Sequence, residues 1–256
     1  MNGIRAYLLA VLAVAAFTHP ARAEKLVSEL STDTVEITSS FTGEKMTFFG
    51  SIEPEISAKD AAIGPYHVII VVTGPALDRV AREKTRNFGV WLNTDQVTFK
   101  SFPSYYQVLS SSKMSDITNA TTLAVEHIPP DAQPGISEES GWWKSAIFGR
   151  ELIRLMNEQG LFGVNENAIN FQSPTFYSAR LTLPSDAPPG PYLAVTYIFK
   201  DGVIVARNSE GFAVRKIGFE RFLAIESRQH SLLYGIVCVL LAVFTGWAGG
   251  VLFKRG

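Results

Sequence analysis

The sequence predicts a mostly β protein that ends in a single transmembrane helix. Three observations support this fold class. Residues 231–253 form an uninterrupted apolar run without one charged side chain. Short runs rich in β-branched and aromatic residues, separated by turn residues, fill most of residues 34–109 and 177–215. Residues 143–159 change to helical spacing, which places one helix between the two groups of strands.

The apolar run at residues 231–253 predicts a transmembrane helix. At about 1.5 Å of rise per residue it spans a hydrocarbon core about 30 Å thick. Lys254 and Arg255 follow it, and basic residues favour the cytoplasmic side of a membrane. Residues 254–256 are therefore expected to be a short cytoplasmic tail.

Residues 1–23 have the pattern of a secretory signal peptide. Arg5 precedes an apolar stretch at residues 6–17, and Ala21-Arg22-Ala23 is a small-x-small cleavage site. An uncleaved signal anchor is the alternative. Cleavage would leave residues 24–220 as a periplasmic domain joined by a juxtamembrane link, residues 221–230, to the membrane helix. The expected location is the bacterial inner membrane, crossed once, with most of the chain periplasmic.

The periplasmic segment predicts an antiparallel, Ig-like β-sandwich. Residues 67–72 form a continuous β-branched run, which is typical of a strand buried on both faces. Asp201-Gly202 predicts a two-residue hairpin turn. The other predicted strands are residues 34–38, 45–50, 87–93, 96–100, 105–109, 118–127, 177–183, 192–199, 203–206 and 211–215.

One helical insertion near residues 137–162 interrupts the strands, with Gly160 placed to end the helix. No linker rich in Pro, Gly or Ser divides the segment, so we expect one compound sandwich. Two small sandwiches joined through the helix are the second interpretation.

Composition argues against several function classes. All 24 acidic residues lie within residues 24–230, the segment predicted to be exported, whereas four of the 23 basic residues lie outside it. This acidic balance argues against a nucleic-acid partner. The single cysteine, Cys238, lies in the membrane helix, so the domain is expected to have no disulfide. The four histidines have no metal-ligand spacing, and no nucleophile or phosphate-loop motif is present. We therefore expect no cofactor, no metal and no enzymatic activity.

Arg82, Lys84 and Arg86 are the most suggestive polar residues. In an extended chain they point to one side. One interpretation is a solvated edge strand whose charges discourage pairing with other strands. The other is a stripe that contacts an anion or a partner, because guanidinium groups suit oxyanions. Glu83 between them is expected to weaken the positive field and favours the first interpretation.

Aromatic residues form a second candidate group, expected to be mainly core: Trp91, Phe99, Phe102, Tyr105 and Tyr106. Trp142 and Trp143 begin the predicted helix, where burying both is difficult. We expect at least one of the two to be buried. A contact with a partner or with the membrane interface is the alternative.

Within the membrane helix, Ala242, Gly246 and Gly250 lie four residues apart and form one face of small side chains. Small residues at this spacing allow close packing of membrane helices. The expected contact is either a second copy of this chain or another membrane protein.

Several short sequence segments, in their order along the chain, resemble those of a family of alphaproteobacterial transmembrane proteins, the Alph_Pro_TM type. The resemblance covers nearly the whole mature chain and rests on residues 35–50, 68–75, 90–93, 102–106, 183–184, 189–192, 234–235 and 246–247. It implies no activity and names no functional residue. It does imply a context, because such proteins look like companions of sulfite-exporter-type permeases of the TauE/SafE kind.

The resulting hypothesis is a non-catalytic, membrane-anchored periplasmic accessory protein, with a sulfur-oxyanion exporter-type permease as its partner. The alternative is a free-standing envelope module that binds a ligand or acts as a scaffold. An enzyme is the third and least favoured hypothesis, since no group of nucleophile, base and metal ligands emerges.

Overall fold

A computed structural model describes residues 25–37, 43–53, 65–133, 141–216, 223 and 226–252. The predicted signal peptide, residues 1–23, and the predicted tail, residues 254–256, lie outside them, as do residues 221–222 and 224–225 of the predicted juxtamembrane link. The described chain is mostly strand. Its strands are β1 (Lys25–Leu30), β2 (Thr34–Ile37), β3 (Glu44–Glu53), β4 (Tyr66–Thr73), β5 (Ala76–Asn87), β6 (Val90–Pro103), β7 (Tyr106–Ser110), β8 (Phe162–Asn165), β9 (Ile169–Phe171), β10 (Phe176–Leu183), β11 (Gly190–Lys200) and β12 (Val203–Lys216).

The helices occupy three parts of the chain. Two short ones and a 3₁₀ turn follow β7, a long one precedes β8, and the last is the apolar C-terminal helix. Their bounds are α1 (Met114–Ile117), α2 (Ala120–Val125), the 3₁₀ turn (Pro130–Ala132), α3 (Gly141–Glu158) and α4 (Ser231–Leu252). Helix α3 lies within the predicted helical insertion.

The strands form two large sheets and one separate hairpin. The first sheet has the order β1-β3-β10-β9, the second has the order β2-β12-β11-β4-β7-β8, and β5 pairs with β6 alone. Most pairs are antiparallel, but β2 with β12 and β7 with β8 are parallel and lie at the two edges of the second sheet. The predicted fold class, a mainly antiparallel β-sandwich with an inserted helix and an apolar C-terminal helix, is confirmed.

The core lies between the two large sheets, and its buried side chains belong to one hydrophobic cluster. Strands β3 and β10 bury every second residue, as expected for strands with one covered face. Strand β4 is central in the second sheet and buried along most of its length. The prediction of a strand buried on both faces at residues 67–72 is therefore confirmed.

The predicted strand at residues 118–127 is wrong, because this segment contains α2. The Asn119 side chain accepts a hydrogen bond of 2.8 Å from the Thr122 amide and so caps the helix. The Tyr106 hydroxyl then donates to the carbonyl of His127 at 2.8 Å, which holds the following turn against β7. A short run of Thr, Leu, Ala and Val suits either structure, and here the cap and the tertiary contact favour the helix.

The predicted strand at residues 87–93 is also wrong at its start. Phe88 and Gly89 have φ of 51° and 84° and form the two-residue turn between β5 and β6. Positive φ at both central positions is typical of the turn type that matches strand twist. Asp201 and Gly202 form the predicted turn between β11 and β12 with φ of 50° and 80°.

Candidate functional site: the β5–β6 arm

The hairpin of β5 and β6 is an arm that pairs with neither large sheet. We call the two strands and their turn, residues 76–103, the arm. With 12 residues in β5 and about 3.4 Å per residue, it is about 40 Å long. An arm of this length on a small sandwich offers a surface that the fold itself does not require, so it is the candidate functional site.

The base of the arm is fixed to the second sheet. The Gly74 amide donates to the Tyr105 carbonyl at 2.8 Å, and the Ser104 amide donates to the Pro75 carbonyl at 3.0 Å. Phe102 stacks on Phe162 of β8 with ring centroids 5.5 Å apart. Burial, and secondarily the neighbouring Tyr192, raises the pKa of Tyr105 well above its ordinary value, so this phenol stays neutral. The base of the arm is therefore held by backbone hydrogen bonds and by packed aromatic rings.

One face of the arm, the inner face, packs against α3. Val97 and Phe99 on this face are buried, and α3 contacts both strands. Lys144 in the first turn of α3 forms an ion pair of 2.8 Å with Asp95. Glu83 lies opposite Asp95 in the register and therefore on the same face. These contacts join the middle of the arm to α3.

The opposite, outer face carries Arg82, Lys84 and Arg86. They occupy alternate positions of β5, and all three are exposed. Within the described residues none of them forms an ion pair or a side-chain hydrogen bond. Strand geometry places Glu83 on the inner face, so it does not interrupt this row as the sequence suggested. Whether the row contacts an anion or a partner stays a prediction.

The tip of the arm is apolar and exposed. Phe88 in the turn is fully exposed, and Trp91 retains 65% of its accessible surface. Val90 and Leu92 are exposed as well. The prediction that most of the aromatic group is core is confirmed for Phe99, Phe102, Tyr105 and Tyr106, whereas Trp91 is the exposed exception. The turn sets this difference, because it puts Trp91 two residues from the free end of the hairpin.

Trp142 and Trp143 are both exposed, at 68% and 63%, so the prediction that at least one is buried is wrong. Their rings meet edge to face with centroids 5.8 Å apart. The buried residues of α3 begin only at Ser145, which leaves the first turn outside the core. Lys144, the next residue, forms the ion pair with Asp95. Trp142 and Trp143 therefore lie beside the half of the arm that is nearer its tip.

Two surface clefts lie among the described residues. A cleft of about 490 Å³ between α3 and β8 has Asp131 as its single ionisable lining residue. A smaller one of about 280 Å³ is lined by His67, Asp116 and Asp201, and the His67 Nδ1 lies 3.2 Å from the Ser112 hydroxyl. No carboxylate among the described residues bonds this histidine. Among the residues that the structure describes, no three or more His, Cys, Asp or Glu side chains form a group that could hold a metal ion.

Helix α4 is the one helix of the described chain long and apolar enough to cross a membrane. Ala242 is exposed on it, and an ideal Cβ built on Gly246 or Gly250 meets no atom within 4 Å. The three positions are four residues apart and therefore lie on one side of the helix. Their role in packing stays a prediction.

Comparisons with known proteins place the chain at the level of a family. The family model described as "Putative transmembrane protein (Alph_Pro_TM)" matches residues 25–255. No curated protein is significantly similar to the chain. Among solved structures, AggA, the major subunit of aggregative adherence fimbriae type I from Escherichia coli, is similar with 10% identity and a TM-score of 0.26. That alignment covers 78% of this chain and 100% of AggA.

Proposed function

We propose that this chain, which belongs to the Alph_Pro_TM family of transmembrane proteins, is a non-catalytic accessory protein that holds its β-sandwich at the periplasmic face of the membrane beside an integral membrane partner. A sulfite-exporter-type permease is the partner that the sequence resemblance favours. The observation that supports the proposal is α4, an apolar helix long enough to cross a membrane that carries Ala242, Gly246 and Gly250 on one side.

A second membrane helix can pack closely against the side of α4 that carries the small residues. In lipid there is no hydrophobic drive between helices, so association depends on how closely the backbones approach. Ala242, Gly246 and Gly250 allow that approach. The opposite side of α4 carries larger side chains such as Val237 and Phe244. A partner helix is therefore expected on the small-residue side.

The double variant G246L/G250L is expected to insert normally and to lose most of the co-purifying membrane partner. Leucine enters a membrane helix at least as readily as glycine, but its side chain holds the two backbones apart. Affinity purification from native membranes in mild detergent measures the recovery of each partner. The variant V237L/A248L adds bulk to the other side of α4 and is the matched control, expected to retain the partner.

Unchanged partner recovery with G246L/G250L would exclude the small-residue side as the contact. If only a second, differently tagged copy of this chain is recovered, α4 contacts its own copy and the proposed permease partner is wrong. A soluble envelope protein retained by both variants would favour the free-standing binding or scaffold module.

The topology is tested separately. A reporter enzyme that is active only in the periplasm, fused after Arg228, is expected to be active, and the same reporter fused after Gly256 is expected to be silent. Export by residues 1–23 and the basic residues after α4 both favour this orientation. Mass spectrometry of the purified protein is expected to place the mature N-terminus near Glu24. An active fusion after Gly256 would contradict the proposed orientation.

A further inference from the structure

The tip of the arm exposes apolar side chains at a conformational cost. Phe88 has φ of 51°, a region that bulky residues rarely occupy, and its ring contacts water on all sides. Val90, Trp91 and Leu92 surround it and are exposed. Folding of the described chain gains nothing from this exposure, so the tip is suited to contact something outside it.

The outer face next to the tip is basic. Arg86 lies opposite Trp91 in the register, and Lys84 and Arg82 follow at intervals of two residues. At about 3.4 Å per residue this row extends about 14 Å from the aromatic tip along the arm. An apolar end followed by a band of cations is the arrangement that binds a bilayer surface. The apolar side chains enter the interface, and the cations meet the lipid phosphates.

The arm begins at the end of the second sheet from which the chain leaves for the membrane. Val214, near the end of β12, pairs with Gly190 of β11, and a Cβ built on Gly190 would lie 2.9 Å from the Pro75 ring. The strand ends at Lys216 and α4 starts at Ser231. A chain segment of this length spans about 50 Å at most, so the end of β12 lies within that distance of the start of α4, and an arm about 40 Å long can cover most of it.

We propose that the arm docks on the bilayer that α4 crosses, with its tip in the interface and its outer face on anionic phospholipid headgroups. The size of the tip favours lipid over a protein partner. A stable protein interface buries about 1,200–2,000 Å² in total, whereas the tip is a two-residue turn with a few apolar side chains. A bilayer can take up so small a group of apolar side chains, because it needs no complementary protein surface. The inference is independent of what packs against α4.

The test uses the full chain in vesicles and the fluorescence of one tryptophan. The variant W142F/W143F/W247F keeps Trp91 as its single tryptophan. It is reconstituted into vesicles whose phosphatidylcholine carries brominated, quenching acyl chains, with or without a minority of phosphatidylglycerol. Docking is expected to quench Trp91 and shift its emission to the blue when phosphatidylglycerol is present.

A matched control moves the tryptophan to the other end of the sheet. It carries V203W and W91F in the same background, because Val203 is exposed beside the turn between β11 and β12. This control is expected to show no quenching in either vesicle. An unquenched Trp91 in both vesicles would overturn the docking proposal, and equal quenching in both would overturn the role of anionic headgroups.

The basic row is tested by R82E/K84E/R86E in the Trp91-only background. Each Lys or Arg near an anionic surface contributes about a fivefold preference, so loss of three lowers the ratio of docked to undocked arm by at least about a hundredfold. The variant K45E/K113E/R180E makes the same charge change at exposed positions away from the arm and is expected to retain quenching. Equal loss in both variants would overturn the assignment to the outer face.

Discussion

Replacing Phe102 by alanine is expected to lower the free energy of unfolding by about 3–5 kcal/mol. Phe102 is 2% exposed and lies between two aromatic rings at the base of the arm. Its ring stacks on Phe162 at 5.5 Å and meets Phe99 at 6.0 Å. Alanine would remove the ring from both contacts and leave a cavity where the arm joins the sandwich. Denaturant unfolding of the full chain in detergent micelles, followed by near-ultraviolet circular dichroism, measures the loss.

The same substitution at the other end of the arm is the control. F88A is expected to change the unfolding free energy by less than about 0.5 kcal/mol, because the Phe88 ring is fully exposed. The pair separates two roles within one hairpin, since Phe102 holds the arm in place and Phe88 is free for a contact outside the chain. A comparable loss of stability in both variants would show that the tip is part of the folded core.

The substitution G50A is expected to destabilise the protein by about 1–3 kcal/mol through overpacking. An added Cβ at Gly50 would lie 2.5 Å from the Tyr177 hydroxyl of β10 and 2.8 Å from the Val27 carbonyl of β1. Both strands pair directly with β3, so neither moves without disturbing the first sheet. The same unfolding experiment measures the change.

Gly211 in β12 provides the control for G50A. A Cβ added at Gly211 would have the Tyr192 carbonyl oxygen as its nearest neighbour, at 3.8 Å, which is an ordinary van der Waals distance. G211A is expected to be neutral or to stabilise the strand by up to about 1 kcal/mol, because alanine loses less conformational freedom on folding. A G50A protein as stable as G211A would contradict the close packing of the first sheet around Tyr177.

The features that the sequence predicted correctly depend on local patterns. The run at residues 67–72 indicated a strand buried on both faces, and β4 is central in its sheet. Asp201-Gly202 indicated a hairpin, because these residue types tolerate positive φ. The change of period at residues 143–159 indicated α3. The apolar run at residues 231–253 indicated α4, since length and composition alone test whether a helix can span a membrane.

The arm was not predicted, although its charged residues were noted. The turn at Phe88-Gly89 contains a glycine but starts with a phenylalanine, which turn statistics do not favour at positive φ. The segment therefore had the composition of one continuous strand. The turn could have been predicted from Asn87 and Gly89, which flank Phe88 between two long polar and aromatic runs.

The sequence by itself determined the class of this protein: strands with turns between them, one helix among them, and one apolar helix for the membrane. These follow from side-chain periodicity and backbone preference, which act over a few residues. Only the tertiary structure decided that β5 and β6 leave the sandwich as an arm, that Glu83 and Arg82 lie on opposite faces, and that Trp91, Trp142 and Trp143 remain exposed. Burial of an aromatic ring depends on which strands and helices cover it, and that covering is set by contacts between residues far apart in the chain.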